Sequence, residues 1–151
     1  MSEIFSIKEA TVADAEILSA IGKKTFYDTW KGTASEENLN FFMNESYSAE
    51  RIKSELQSAQ HSYFLLMKED AVIGYAKLEE PENPPAEISK FNCMEINKVY
   101  IDKNYKGLGL GKLLMEKCIA VAKGKNKQCI YLGVWEENIR AVKLYKKMGF
   151  K

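Results

Sequence analysis

The chain is poor in the residues that build metal sites, disulfide frameworks and membrane spans. It holds one histidine, His61, and three cysteines, Cys93, Cys118 and Cys129, in 151 residues. No two cysteines form a C-x-x-C pair and the histidine stands apart from them, so no metal site is expected. Each cysteine lies in an apolar run and reads as a small core residue rather than a nucleophile. All three prolines fall in the short stretch Pro81 to Pro85, which leaves no sign of long disorder or of a collagen-like repeat. No apolar run approaches the roughly 18 residues a bilayer span requires. Met1-Ser2-Glu3-Ile4 lacks the basic start and apolar core of a secretory signal, so a cytoplasmic protein with no membrane partner is expected. Charge of one sign is also missing: 22 basic residues stand against 21 acidic ones. A nucleic-acid binder would carry a basic excess. The one dense basic run, Lys123 to Lys127, trails a predicted helix whose negative end lysines suit, so nucleic acid is not an expected partner.

What is present fits one domain over residues 1–151, long enough to bury a core without covalent support. Residues 4–9 read as a strand. Thr11 and Asp14 resemble a capping box ahead of a helix with Ile17, Leu18, Ile21, Thr25 and Phe26 on one side. Gly32 interrupts, then Ser35 and Ser48 cap two further helical stretches. The pattern switches to strands at 62–68 and 71–79 about the turn Glu69-Asp70, a hairpin signature. Residues 80–91 form a loop, 92–101 a strand, 110–123 an amphipathic helix, 129–134 a strand and 138–148 a helix. The predicted class is α/β (α+β), with a mixed, mostly antiparallel sheet. The strand–helix–strand unit at 92–134 implies one parallel pair.

The turn between that unit's first strand and its helix reads Lys106-Gly107-Leu108-Gly109-Leu110-Gly111-Lys112. Three alternate glycines remove side chains that would block a ligand and permit positive φ. The next helix opens with unpaired N–H groups and a positive dipole end, so the turn is suited to phosphate. Two familiar phosphate turns fail on spacing. A dinucleotide fingerprint needs glycine where Lys112 stands, and a P-loop needs Ser or Thr where Leu113 stands.

The segment resembles motif A of the GNAT family of N-acetyltransferases, Gln/Arg-x-x-Gly-x-Gly/Ala. Lys106 takes the first place and Gly109 and Gly111 the glycine places. A second stretch, Asn138-x-x-Ala141-x-x-x-Tyr145-x-x-x-Gly149-Phe150, is similar to another signature of that family. The resemblance implies acetyl-CoA as co-substrate, with the pyrophosphate on the main chain of 106–112 and the pantetheine arm along Val99, Tyr100 and Ile101. It also implies Asn138 bonding that arm and Tyr145 protonating the departing thiolate.

The attacking amine must be neutral, although a free alkylamine titrates near about pH 10. Glu95, on the strand leading to the turn, is the candidate proton acceptor; an ordinary strand-end salt-bridge partner is the other reading. Strict alternation places Glu95 and Asn97 on one face with Val99 and Ile101, unless a bulge intervenes. Among the aromatics of 25–50, the acids Glu36, Glu37, Glu45 and Glu50 suit a polycation, or are the solvated outer face of a helix. A resemblance to the PaiA-type spermidine/spermine acetyltransferases is carried by Thr25-Phe26 with Trp30, the helix around Leu39–Phe42, Tyr47 to Ile52 and the strand Glu95 to Ile101. It implies a small-molecule amine acceptor, a polyamine first. A protein α-amine or lysine acceptor, and a non-catalytic acyl-CoA sensor, are the alternatives. Family members continue past Gly-Phe with a strand hairpin, whereas this chain ends at Lys151. A domain lacking that hairpin is expected, or a homodimer in which another chain completes the sheet edge.

Overall fold

The computed structural model describes residues 4–82, 84–133 and 139–150. The chain runs β1 (Phe5–Glu9), α1 (Ala15–Trp30), α2 (Glu36–Ser46), α3 (Ala49–Leu56), β2 (His61–Lys68), β3 (Ala71–Glu79), β4 (Cys93–Ile101), α4 (Leu110–Gly124), β5 (Cys129–Leu132) and α5 (Ile139–Lys147). Among the described residues the sheet has the order β1-β2-β3-β4-β5. The first three pairings are antiparallel and β4–β5 is parallel, with α4 as its crossover. The predicted mixed sheet is therefore the observed one.

Local chemistry accounts for the helix ends. The Asp14 carboxylate accepts from the Thr11 N–H at 2.8 Å, in a 3-10 turn that feeds α1. Ser35 and Ser48 hydroxyls accept from Asn38 and Arg51 N–H groups and cap α2 and α3. Ile17, counted in the apolar stripe of α1, is 43% exposed, while Leu18, Ile21 and Thr25 are buried.

Both faces of the sheet are covered, which explains why the central strands read as unbroken apolar runs. Phe64, Leu66, Ala76, Leu78, Met94 and Ile96 pack with Leu110, Leu114, Met115 and Cys118 of α4. On the other face Tyr63, Leu65 and Tyr75 pack with Leu18 and Ile21 of α1, Ile52 of α3, and Tyr47. Burial pushes the Cys118 thiol up to about 12, an inert core thiol as the sequence implied. Cys93 and Cys129 differ from that expectation. They are direct partners across β4–β5 with Cα atoms 4.6 Å apart, and they form a disulfide.

Two irregularities of β4 decide which groups it offers on each side. Lys77 pairs with Lys98 but Leu78 pairs with Ile96, so Asn97 is an extra residue, a β-bulge. The bulge inverts the alternation. Met94 and Ile96 share the α4 face with Val99 and Ile101. Glu95, by alternation, shares the opposite face with Lys98 and Tyr100. The alternation expected for Glu95, Asn97, Val99 and Ile101 is thus corrected: Glu95 lies across the sheet from Val99 and Ile101. Second, β5 pairs with β4 only from Cys93 to Ile96. From Asn97 to Ile101 that edge of β4 has no strand partner among the described residues.

Candidate functional site

The glycine turn is held from below by Asp102. Its N–H donates to the Ile73 carbonyl at 2.7 Å, and its Oδ1 accepts from the Asn104 N–H at 2.9 Å. Lys24 of α1 pairs with its other oxygen, and Lys103 reaches Asp28 of α1 at 3.8 Å. Burial alone would raise the Asp102 carboxyl, but the Lys24 ammonium and the Asn104 amide outweigh it and hold the group below its ordinary value.

Beyond this anchor Lys106, Gly107, Leu108 and Gly109 are exposed. Gly107 and Gly109 have φ of +84° and +78°, conformations that a side chain would strain. Gly109 is the N-cap of α4, and among the described residues no side chain caps the helix. The first N–H groups of α4, at Leu110, Gly111 and Lys112, have no acceptor within the helix. A Cβ built on Gly109 or Gly111 meets nothing within 4 Å. These glycines therefore leave open space above donor groups instead of accommodating a neighbouring part of the protein, the arrangement an oxyanion needs. Leu110 is the inward anchor, buried in the α4 layer.

Beside the turn, Val99, Tyr100 and Ile101 present the strand edge that β5 leaves free, so their main-chain groups are available to an extended ligand. On the other side of this edge, Gly74 permits the close approach of β3, because a Cβ there would lie 2.7 Å from the Tyr100 carbonyl oxygen.

Tyr145 of α5 packs against the α4-side core, its ring 6.0 Å from that of Phe150. Burial, then the neighbouring Tyr100, push its hydroxyl above the ordinary phenol value, so it keeps a proton to donate at neutral pH. Asn138 lies outside the described residues.

Glu95 opens on a cleft of about 530 Å³ on the α1–α3 face, shared with His61, Glu79, Glu80, Glu82 and Tyr131. Glu80 is paired with Lys127 at 2.6 Å and Glu79 lies 3.8 Å from Lys77. The acids expected to shape the acceptor side, Glu36, Glu37, Glu45 and Glu50, lie on α2 and α3, away from the residues that line this cleft. The carboxylates gathered there come instead from β3, β4 and the loop between them. The aromatic residues of 25–50 do assemble: Phe26 stacks on Phe42 at 4.8 Å and meets Trp30 and Tyr47 at 6.4 and 5.7 Å.

Sequence reasoning missed the polar core of the α1–α3 face. Lys77 lies 3.0 Å from Glu55, which also accepts from the Tyr63 hydroxyl at 2.6 Å. Burial would raise the Glu55 carboxyl, but Tyr63 and Lys77 bring it below its ordinary value. Only a lysine inside an apolar strand run marked this site in advance.

Residues 25–150 match the acetyltransferase (GNAT) family. A relative from Lactobacillus delbrueckii subsp. lactis, an uncharacterized N-acetyltransferase in the pepI 3' region, is 30% identical over 95% of this chain and 82% of its own length. The spermidine N(1)-acetyltransferase of Thermoplasma acidophilum is 24% identical over 96% of this chain and 87% of its own. Among solved structures, the PaiA N-acetyltransferase of Thermoplasma acidophilum in complex with coenzyme A superposes with a TM-score of 0.82. It is 22% identical and covers 97% of this chain and 89% of its own. With motif, topology and family match in agreement, the chain belongs to the GNAT family of acetyltransferases.

Proposed function

We propose that this protein transfers an acetyl group from acetyl-CoA to a primary amine, and that its preferred acceptor is a polyamine such as spermidine or spermine. The observation that carries the first part is the capless α4 N-terminus, with open space over its glycines, next to the unpaired edge of β4. The N–H groups from Lys106 to Lys112 would hold the coenzyme's pyrophosphate, and the Val99–Ile101 edge would bond its pantetheine arm. Acetyl-CoA supplies a thioester carbonyl open to attack by nitrogen. Main-chain N–H groups at the bulge would stabilise the oxyanion, Tyr145 would give its proton to the leaving sulfur, and Glu95 would receive one from the nitrogen.

The polyamine reading is supported by the carboxylates of the 530 Å³ cleft around Glu95 and by the name of the Thermoplasma relative. A multiply charged amine gains attraction there that a neutral-tailed amine lacks. Thiol release from acetyl-CoA, measured with spermidine, spermine, a peptide α-amine and a lysine peptide, tests it. Spermidine-dependent release is the expected result. Release with peptides alone would overturn the polyamine reading, and tight coenzyme binding without turnover on any amine would overturn the enzymatic one.

A further inference from the structure

The α1–α3 face of the sheet carries a cation that no carboxylate pairs among the described residues. That cation is Lys98, which follows the bulge, is partly buried, and holds its Nζ 4.9 Å from the centre of the Tyr47 ring. Its cross-strand partner is Lys77, whose own ammonium is matched by Glu55 at 3.0 Å and Glu79 at 3.8 Å. The groups around it are Lys77 and Glu79 of β3, Arg51 and Glu55 of α3, and the phenol of Tyr47. Burial first, then the Lys77 charge, hold the Lys98 ammonium below its ordinary value, with Glu55 and Glu79 opposing and Arg51 adding.

The neighbourhood is also aromatic. Tyr75 is 1% exposed, with its ring 6.2 Å from that of Tyr63. Its ring lies 5.8 Å from that of Tyr100, the residue whose charge bears on Tyr145. Lys98 and Tyr145 thus approach the unpaired stretch of β4 from opposite faces. The cleft lined by Glu79 and Glu95 opens on the same face of β4 as Lys98, one bulge away along the strand, so an acceptor held there meets that stretch from the Lys98 side.

We propose that Lys98 and the nitrogen to be acetylated share one positive charge, so that an amine seated beside the β4 bulge enters as the neutral nucleophile while its distal ammonium groups occupy the Glu79–Glu95 cleft. The inference rests on the acetyl-transfer reading above. Two ammonium groups in one partly buried site cannot both stay ionised cheaply, and the pair titrates as a unit. As the nitrogen forms its bond to the acetyl carbon, the carbon–sulfur bond breaks and the sulfur takes the Tyr145 proton. The surplus proton on nitrogen passes to Glu95, and Tyr145 is reprotonated through solvent. Lys98 is a positioning residue in this scheme: it sets the protonation state of the acceptor.

The test follows turnover with spermidine from about pH 6 to about pH 10 in the wild type, Lys98→Met and Lys98→Arg. The alkaline-rising limb of kcat is expected to move up by about one pH unit in Lys98→Met. It should stay in place in Lys98→Arg, which keeps the charge and cannot release its proton. An unmoved limb in Lys98→Met, or an arginine variant that follows it, overturns the proposal. Calorimetry of spermidine binding in two buffers of different ionisation heat reads the same event without turnover. The wild type should release about one proton on binding near about pH 8 and Lys98→Met clearly less. Equal release, or no binding, overturns the shared charge. Proton release without acetylation would sink the acetyl-transfer reading alone, and acetylation with unmoved limbs would sink only the role of Lys98.

Discussion

The two faces of β4 are built from different materials. On the α4 side the groups left open are main chain: N–H groups at the start of α4 and the free edge at Val99–Ile101, with glycines keeping the approach clear. On the α1–α3 side they are side chains, with Glu95, Glu79, Lys98 and the tyrosines drawn from several elements. A main-chain site tolerates change in nearly every side chain but not in its glycines. A side-chain site can be retuned one residue at a time. Under the proposed function, the coenzyme half is therefore suited to one constant ligand and the acceptor half to a variable one.

That contrast can be broken in several places. The largest effect is expected on stability: Lys77→Met leaves the Glu55 carboxylate with only the exposed Arg51, at 3.6 Å, as its cation and should cost about 3 kcal/mol, read by denaturant melting. A loss below about 1 kcal/mol would mean the α1–α3 face does not depend on its buried pair. Next, Tyr145→Phe should lower kcat about 100-fold with coenzyme affinity unchanged, because only the transferable proton is lost. Equal rates would remove the acid role. Gly109→Val should weaken coenzyme binding about 30-fold through strain at positive φ and a covered donor, measured by calorimetry. Unchanged affinity would refute the main-chain cradle. On the acceptor side, Glu79→Gln should raise KM for spermidine about threefold, while Glu36→Gln leaves it alone. The reverse order would move the acceptor site to α2.

A pH prediction sharpens the same division. Glu55 and Asp102 both have folded values held below their ordinary carboxylate range. Their contribution to stability is complete above the unfolded values, about pH 4, and is lost as pH falls through the lower folded ones. Acid unfolding should therefore be steepest below about pH 4. In Lys77→Met the Glu55 share of that dependence should shrink while the Asp102 share persists.

Legibility in the sequence divides along the same line. The turn at 106–112 is readable because main-chain recognition requires glycine at fixed spacing, and capping serines announce α2 and α3. Strand order follows from the hairpin and the crossover helix. The α1–α3 face is not readable, since Lys98, Tyr63 and Tyr75 come together through strand pairing, Glu55 joins them from α3, and the four have no common spacing. The acids at 36, 37, 45 and 50 lie on α2 and α3, outside the lining of the cleft around Glu95. Glu95 shows the remaining difficulty: its position on the strand is legible, but its face depends on a bulge that no residue type advertises.

That bulge makes β4 a strand of two phases. Draw Asn97 into the regular alternation and every later residue of β4 changes face. Val99 and Ile101 would then be turned out of the apolar layer, and Lys98 and Tyr100 driven into it. One uncounted residue is what lets a single strand present oily side chains to the same layer at both of its ends while keeping Glu95, Lys98 and Tyr100 in common on the far side. It also leaves the peptide at that point outside the regular ladder, at the place where the two halves of the molecule have to meet.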